Sequence, residues 1–135
     1  MDLVDDTFVV ARPEVVAAVV HDPGRWREWW PDLRLAVFMD RGLQGLRWSV
    51  TGALVGSCEL WLEPFGDGVV VHHYLRVDLP SGGGSPRQAD RLRRRRAVAW
   101  KVAVNALKDE LEGGRAAGEP RSDPVKASPG PAEET

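Results

Sequence analysis

Three patterns of apolar residues succeed one another along the chain, and each predicts an element. The segment DTFVVA sets Phe8, Val9 and Val10 in a short β-type run, which predicts a first strand. Pro13 opens the stretch PEVVAAVV, where Val15, Val16, Val19 and Val20 give a helix an apolar side. Proline suits a first helical position because the N–H it lacks would have no partner within the helix. Glu14 suits the positive end of the helix dipole. The turn HDPG stops this helix. In RWREWWP, Trp26, Trp29 and Trp30 have the i, i+3, i+4 spacing of one helical face before Pro31 ends it. A short second helix is expected there, pressing its indoles onto the sheet or its open end.

From Leu33 the period becomes two. Leu35, Val37 and Met39 alternate with Ala36, Phe38 and Asp40, and Leu46, Trp48 and Val50 with Arg47, Ser49 and Thr51. Cys58, Leu60 and Leu62 alternate with Ser57, Glu59, Trp61 and Glu63, and Val69, Val71, His73, Leu75 and Val77 with Val70, His72, Tyr74, Arg76 and Asp78. DRGLQG and PFGDG read as turns, and Gly52 and Gly56 mark a further turn or bulge. Such short connections require antiparallel pairing. The result is a four-strand meander with one apolar and one polar face, which with the first strand makes five.

From Pro86 to Gly113 the period changes again. Ala89, Leu92, Ala99, Trp100, Ala103, Leu107 and Leu111 form one helical stripe, with Asp90, Arg94, Lys101, Asn105, Lys108, Asp109 and Glu112 opposite. Pro86 suits the start and Gly113-Gly114 the stop. A helix of roughly seven turns, against a mean of about three, must bury its stripe on the sheet. A cleft between the two is the natural place for a ligand.

Composition adds limits. The 135 residues, 43% hydrophobic and 28% charged, suit one globular domain over residues 1–113. Residues 114–135, rich in Gly, Pro, Ala and charge without apolar period, are expected to be a disordered tail. No apolar run is long enough to cross a bilayer, and the acidic MDLVDD does not read as a signal peptide, so a cytoplasmic location without membrane insertion is expected. The single Cys58 fits a reducing compartment and reads as a buried, inert thiol. A net charge of -2 argues against a generally basic nucleic-acid binder. No phosphate loop, G-x-S-x-G or CxxC is present, and no cofactor is expected. The oligomeric state is left open.

The element order, together with ARPEVVAAVVHDPGRWREWWP, GSCELWLEPFGDGVVVHHYLRVD and LKDELE, resembles the polyketide cyclase/dehydrase and lipid-transport proteins, the SRPBCC or START-like superfamily. The resemblance spans roughly Val4 to Glu112. It implies an α+β helix-grip fold, a curved antiparallel sheet wrapped around a long C-terminal helix, with a hydrophobic pocket between them. Five strands, where the superfamily commonly has six or seven, imply a smaller or more open cavity. No universal catalytic triad carries over, and fold alone does not decide activity.

Candidate chemistry rests on individual residues. His73 shares its face with Val71, Leu75 and Val77, so it is either an acid/base for a cyclisation or dehydration or a neutral histidine held by one hydrogen bond. His72 should point the other way, and a His pair on opposite faces cannot chelate one metal, so no metal is expected. Arg96 falls on the apolar stripe of the helix. It either holds a ligand anion by a forked hydrogen bond, or snorkels, or pairs with a carboxylate such as Glu59 or Glu63. The run Arg91 to Arg96 serves an acidic partner or forms a solvated face, although cations are disfavoured near a helix N-terminus. Trp26, Trp30 and Trp100, with Val71, Leu75 and Ala103, are candidate pocket walls, whereas Trp29 and Trp48 read as core. Three functions follow: binding of a small hydrophobic, aromatic polyketide- or lipid-like ligand; cyclase or dehydratase chemistry at His73; or an interaction through the arginine run.

Overall fold

The computed structural model describes residues 1–113, so the expected tail lies outside the described residues. Strand β1 (Asp2–Val9) is followed by helices α1 (Pro13–Val20) and α2 (Pro23–Trp29). Strands β2 (Leu33–Asp40), β3 (Gly45–Gly52), β4 (Val55–Phe65) and β5 (Gly68–Asp78) then precede helix α3 (Pro86–Glu112). The five strands form one antiparallel sheet in the order β1-β5-β4-β3-β2. The meander is thus closed on one side by β1, which returns to pair with β5 from Asp2↔Arg76 to Val9↔Val69. No described helix is long and apolar enough to cross a membrane.

The first strand begins four residues earlier than DTFVVA suggests. Its acids are the reason: Asp2 and Asp6 project from the outer face, where Arg76 and His72 of β5 hold them. Pairing along the full strand outweighs the low β-propensity of aspartate. At the start of β3, Gly45 has φ +107°, and a Cβ there would collide with the Leu60 carbonyl of β4, so the close strand approach requires glycine.

Helix α3 starts with a capping box. The Gln88 N–H donates to the Ser85 hydroxyl at 3.1 Å, and the Ser85 N–H donates to the Gln88 side chain at 2.7 Å. Gly113, in the left-handed region, ends it. The buried line of α3 is rotated from the apolar stripe. Trp100, Val104, Leu107 and Glu112 are buried, while Ala89 and Ala99 are exposed. Glu112 and Lys108, which the apolar wheel assigns to solvent, turn toward β1. The Val10 N–H donates to Glu112 at 3.0 Å, and Lys108 Nζ donates to the Phe8 carbonyl at 2.7 Å and to Glu112 at 2.6 Å. The helix lies along the edge strand β1, and these side chains satisfy backbone groups there. Hydrophobicity alone cannot register that demand.

Candidate functional site

The concave face of the sheet presents Val71, His73, Leu75 and Val77 of β5, all buried, as the alternation predicts. Leu46, Trp48 and Val50 of β3 and Cys58, Leu60 and Leu62 of β4 continue this surface. Helix α2 and its C-cap bring Trp26, Trp29 and Trp30 over it, and α3 brings Trp100. The aromatic rings then pack on one another. Trp30 stacks on Trp100 at 5.5 Å with planes 6° apart, and His73 lies 4.4 Å from Trp100 and 5.7 Å from Trp30. Trp48 meets Trp30 and Trp26 edge-on at 5.7 and 5.2 Å. These separations leave no ligand-sized opening between the rings; the space between sheet and helix is closed by side chains.

This interior holds polar atoms that the apolar walls do not satisfy. His73 is 0% exposed, and neither ring nitrogen has a partner within hydrogen-bond geometry. The indole N–H of Trp48 is buried without a partner, and that of Trp100 has none within hydrogen-bond geometry, although the Asp5 carboxylate lies near enough to be stabilised by it. Burial pushes the His73 pKa down from its usual 6.5 to about 4, with the nearby Glu59 carbonyl and Asp5 carboxylate opposing it weakly. The ring is therefore neutral near pH 7, able to donate one hydrogen bond and accept one. Buried polar groups normally find partners, and each exception calls for a reason.

The other candidates lie around the rim. Arg96 is engaged: its guanidinium forks onto Asp32, in the loop between α2 and β2, at 3.0 and 2.6 Å. That hydrogen bond first, and the charge of Arg96 with it, hold the Asp32 pKa below the usual carboxylate range despite partial burial. The partner is neither of the expected glutamates. Glu59 faces Arg41 and Arg47, and Glu63 faces His72. Around the Arg96–Asp32 pair, Leu54, Leu79, Leu92 and Ala99 form a groove of about 420 Å³. Trp26 is half-buried, donates its indole N–H to the Val20 carbonyl at 2.7 Å, and lines a second groove with Pro31, Leu33 and Leu35. Ala103 is half-buried and lines a third, with Trp29, between α2 and α3. Trp29, read as core, is only partly buried, with its edge against Trp30 and Trp100. The thiol of Cys58 is buried and its pKa is pushed up by that burial, so it is inert.

The outer face carries an arrangement that single-strand alternation does not reveal. His72 lies between Asp6 at 2.6 Å and Glu63 at 2.9 Å, and stacks on Trp61 at 4.4 Å. The register brings them together, since Asp6 and Trp61 both pair with His72 across β1–β5 and β4–β5. Partial burial disfavours its charge, but the hydrogen bonds to Glu63 and Asp6 outweigh that and raise the pKa.

No protein-family model matches the chain, and no curated protein matches its sequence. Solved structures do match. The Aha1 protein from Colwellia psychrerythraea, solved as a dimer, superposes with a TM-score of 0.62 at 16% identity, over 86% of this chain and 99% of that one. A START superfamily protein from Mycobacterium smegmatis matches with a TM-score of 0.55 at 14% identity, over 82% and 98%. The Polyketide_cyc-like protein Cgl2372 from Corynebacterium glutamicum matches with a TM-score of 0.51 at 18% identity, over 84% and 95%. At these identities the likeness is one of fold. The curved five-strand sheet, the two short helices after β1 and the long C-terminal helix give this chain the helix-grip fold of the START-like, polyketide cyclase-like SRPBCC proteins.

Proposed function

We propose that the protein binds a small hydrophobic molecule, aromatic polyketide-like or lipid-like, in the space between the sheet and α3. The observation that carries this reading is the set of buried, unpartnered polar atoms on His73, Trp48 and Trp100 within an otherwise apolar interior. A flat molecule with one or two oxygen atoms would satisfy them and would exchange ring-on-ring packing for its own. The START-like fold of the structural neighbours points the same way. Entry requires Trp30 or Trp100 to swing aside, and the groove beside the Arg96–Asp32 pair, lined by Leu54 and Leu92, is the approach this reading takes.

Carriage without chemistry is favoured over a cyclase or dehydratase. A histidine with a pKa near 4 is a poor proton donor and a weak base at neutral pH, whereas efficient acid–base catalysis needs a pKa near the working pH. Titration with a hydroxyanthraquinone and with anilinonaphthalenesulfonate, followed by tryptophan fluorescence, tests the reading, with native mass spectrometry of the protein as purified beside it. Saturable quenching at one molecule per chain, weakened about tenfold in His73→Leu for the hydroxyanthraquinone, is expected from loss of a hydrogen bond. Absence of quenching by either probe up to its solubility, with no co-purified molecule, would overturn it.

A further inference from the structure

The outer face of α3 is charged against its own dipole. Its first turn holds no acid and its last turn no base, while arginines crowd the N-terminal half and Asp109 and Glu110 lie near the C-terminal end. Both placements are unfavourable for an isolated helix. Among the described residues Arg93 and Arg94 share Asp90, whereas Arg91, Arg95 and Asp109 have no charged partner. Between the two charged ends the same face exposes Val98 and Val102, at 65% and 66%. At 100° per residue, Arg91, Arg95, Val98, Val102, Ala106 and Asp109 all lie within roughly 40° of one line.

We propose that this face joins two copies of the chain in an antiparallel α3–α3 contact about a two-fold axis beside residue 100. The pattern is its own complement. Running a second helix antiparallel at that level sets Arg91 opposite Asp109 twice, Val98 opposite Val102 twice, and Arg95 opposite Asn105 twice. Each basic end then meets the acidic, negative-dipole end of the other copy, so the misplacement in one helix is corrected by its partner. An isologous contact demands such self-complementarity. Ala99 and Ala106 are exposed beside the valines, and small residues let helix axes approach to the short end of the usual 8–10 Å. The contact is about 27 Å long, at 1.5 Å per residue, and only one helix wide. That places it at the low end of specific interfaces, so the dimer forms in the micromolar range and weakens with salt.

Sedimentation equilibrium of the full chain, at concentrations up to a few hundred micromolar and low ionic strength, reads the association directly. Wild type is expected to dimerise, and Val102→Glu to be monomeric over the same range. Arg91→Glu alone and Asp109→Arg alone should each weaken self-association tenfold or more, since like charges then face each other. An equimolar mixture of these two variants should dimerise again, because each residue 91 now meets an opposite residue 109. All three positions are exposed, so far-ultraviolet circular dichroism should show every variant folded. A wild type that stays monomeric, a dimer indifferent to Val102→Glu, or a mixture no more associated than its separate variants would each overturn the proposal.

Discussion

The imidazole of His73 rests against the indole of Trp100, ring centres 4.4 Å apart and planes tilted by 34°, with no hydrogen-bond partner for either imidazole nitrogen. The pair joins the middle strand-face of β5 to the middle of α3, so the chemistry of one ring reports on the whole interior.

Acid should therefore act through His73. Its folded pKa, about 4, lies below the unfolded value of 6.5. Between those values the unfolded chain binds the extra proton, so stability falls as pH drops through that window and the His73 contribution levels off below about pH 4. The full difference is worth roughly 3 kcal/mol at 1.36 kcal/mol per unit. Urea denaturation from pH 7 to pH 4 should show this slope in wild type and a much flatter one in His73→Leu. At pH 7 that variant should lie within about 1 kcal/mol of wild type, because an unsatisfied polar group is replaced by an apolar one.

His72, on the opposite face, should behave inversely. Its hydrogen bonds to Glu63 and Asp6 overcome partial burial and raise its folded pKa above 6.5. A raised histidine pKa gives stability that is fully present below the unfolded value and is lost as pH rises through the folded one. The advantage of wild type over His72→Gln should thus be largest below about pH 6 and shrink in alkali. Parallel denaturant series at several pH values check it, and an advantage that grows with pH would be contrary.

Lys108 and Glu112 test the packing of α3. Each is in direct hydrogen-bond contact with backbone at the end of β1. Lys108→Ala or Glu112→Ala should cost about 1–3 kcal/mol, the usual loss for a partly buried charged hydrogen bond. Leu107→Ala, buried beside them, should cost about 2–5 kcal/mol. Equal denaturant midpoints for wild type and Lys108→Ala would return that residue to the solvent face.

The limits of sequence reading are visible in the same residues. Alternation in β5 was enough to orient His73 inward and His72 outward, because a sheet with one buried face fixes the parity of every side chain. The long helix and its ends were legible from Pro86 and Gly113. What a period could not convey is who faces whom across the fold. Arg96 meets Asp32, 64 positions away, and Glu112 meets Val10, 102 positions away. Both are polar contacts, invisible to an apolar wheel. Ala103 and Trp30 show the same limit within one element pair: both are apolar, yet one lines an outer groove and the other the interior. The closed interior was hidden too, since the five tryptophans other than Trp61 fit a pocket lining and a filled core equally well.

Arg96 offers a kinetic check. With its guanidinium held by Asp32, it is not free to take a ligand anion, but it ties α3 to the loop beside Leu33. Arg96→Met should lower stability by about 1 kcal/mol or less, as for a largely surface ion pair. Stopped-flow fluorescence should show faster association and faster release of a hydroxyanthraquinone, with the equilibrium affinity nearly unchanged. A large loss of affinity confined to anionic ligands would instead make Arg96 a direct ligand contact.

The most direct test follows the buried donors themselves. In protein carrying nitrogen-15 indoles, the Nε1–H resonances of Trp48 and Trp100 can be watched by NMR during titration with a hydroxyanthraquinone. Binding between sheet and α3 predicts saturable downfield shifts of both resonances, as donors without partners acquire an acceptor, along with a shift of the His73 ring. Unmoved Trp48 and Trp100 resonances, with changes confined to the half-buried Trp29 or to surface residues of α3, would contradict a ligand site in the interior.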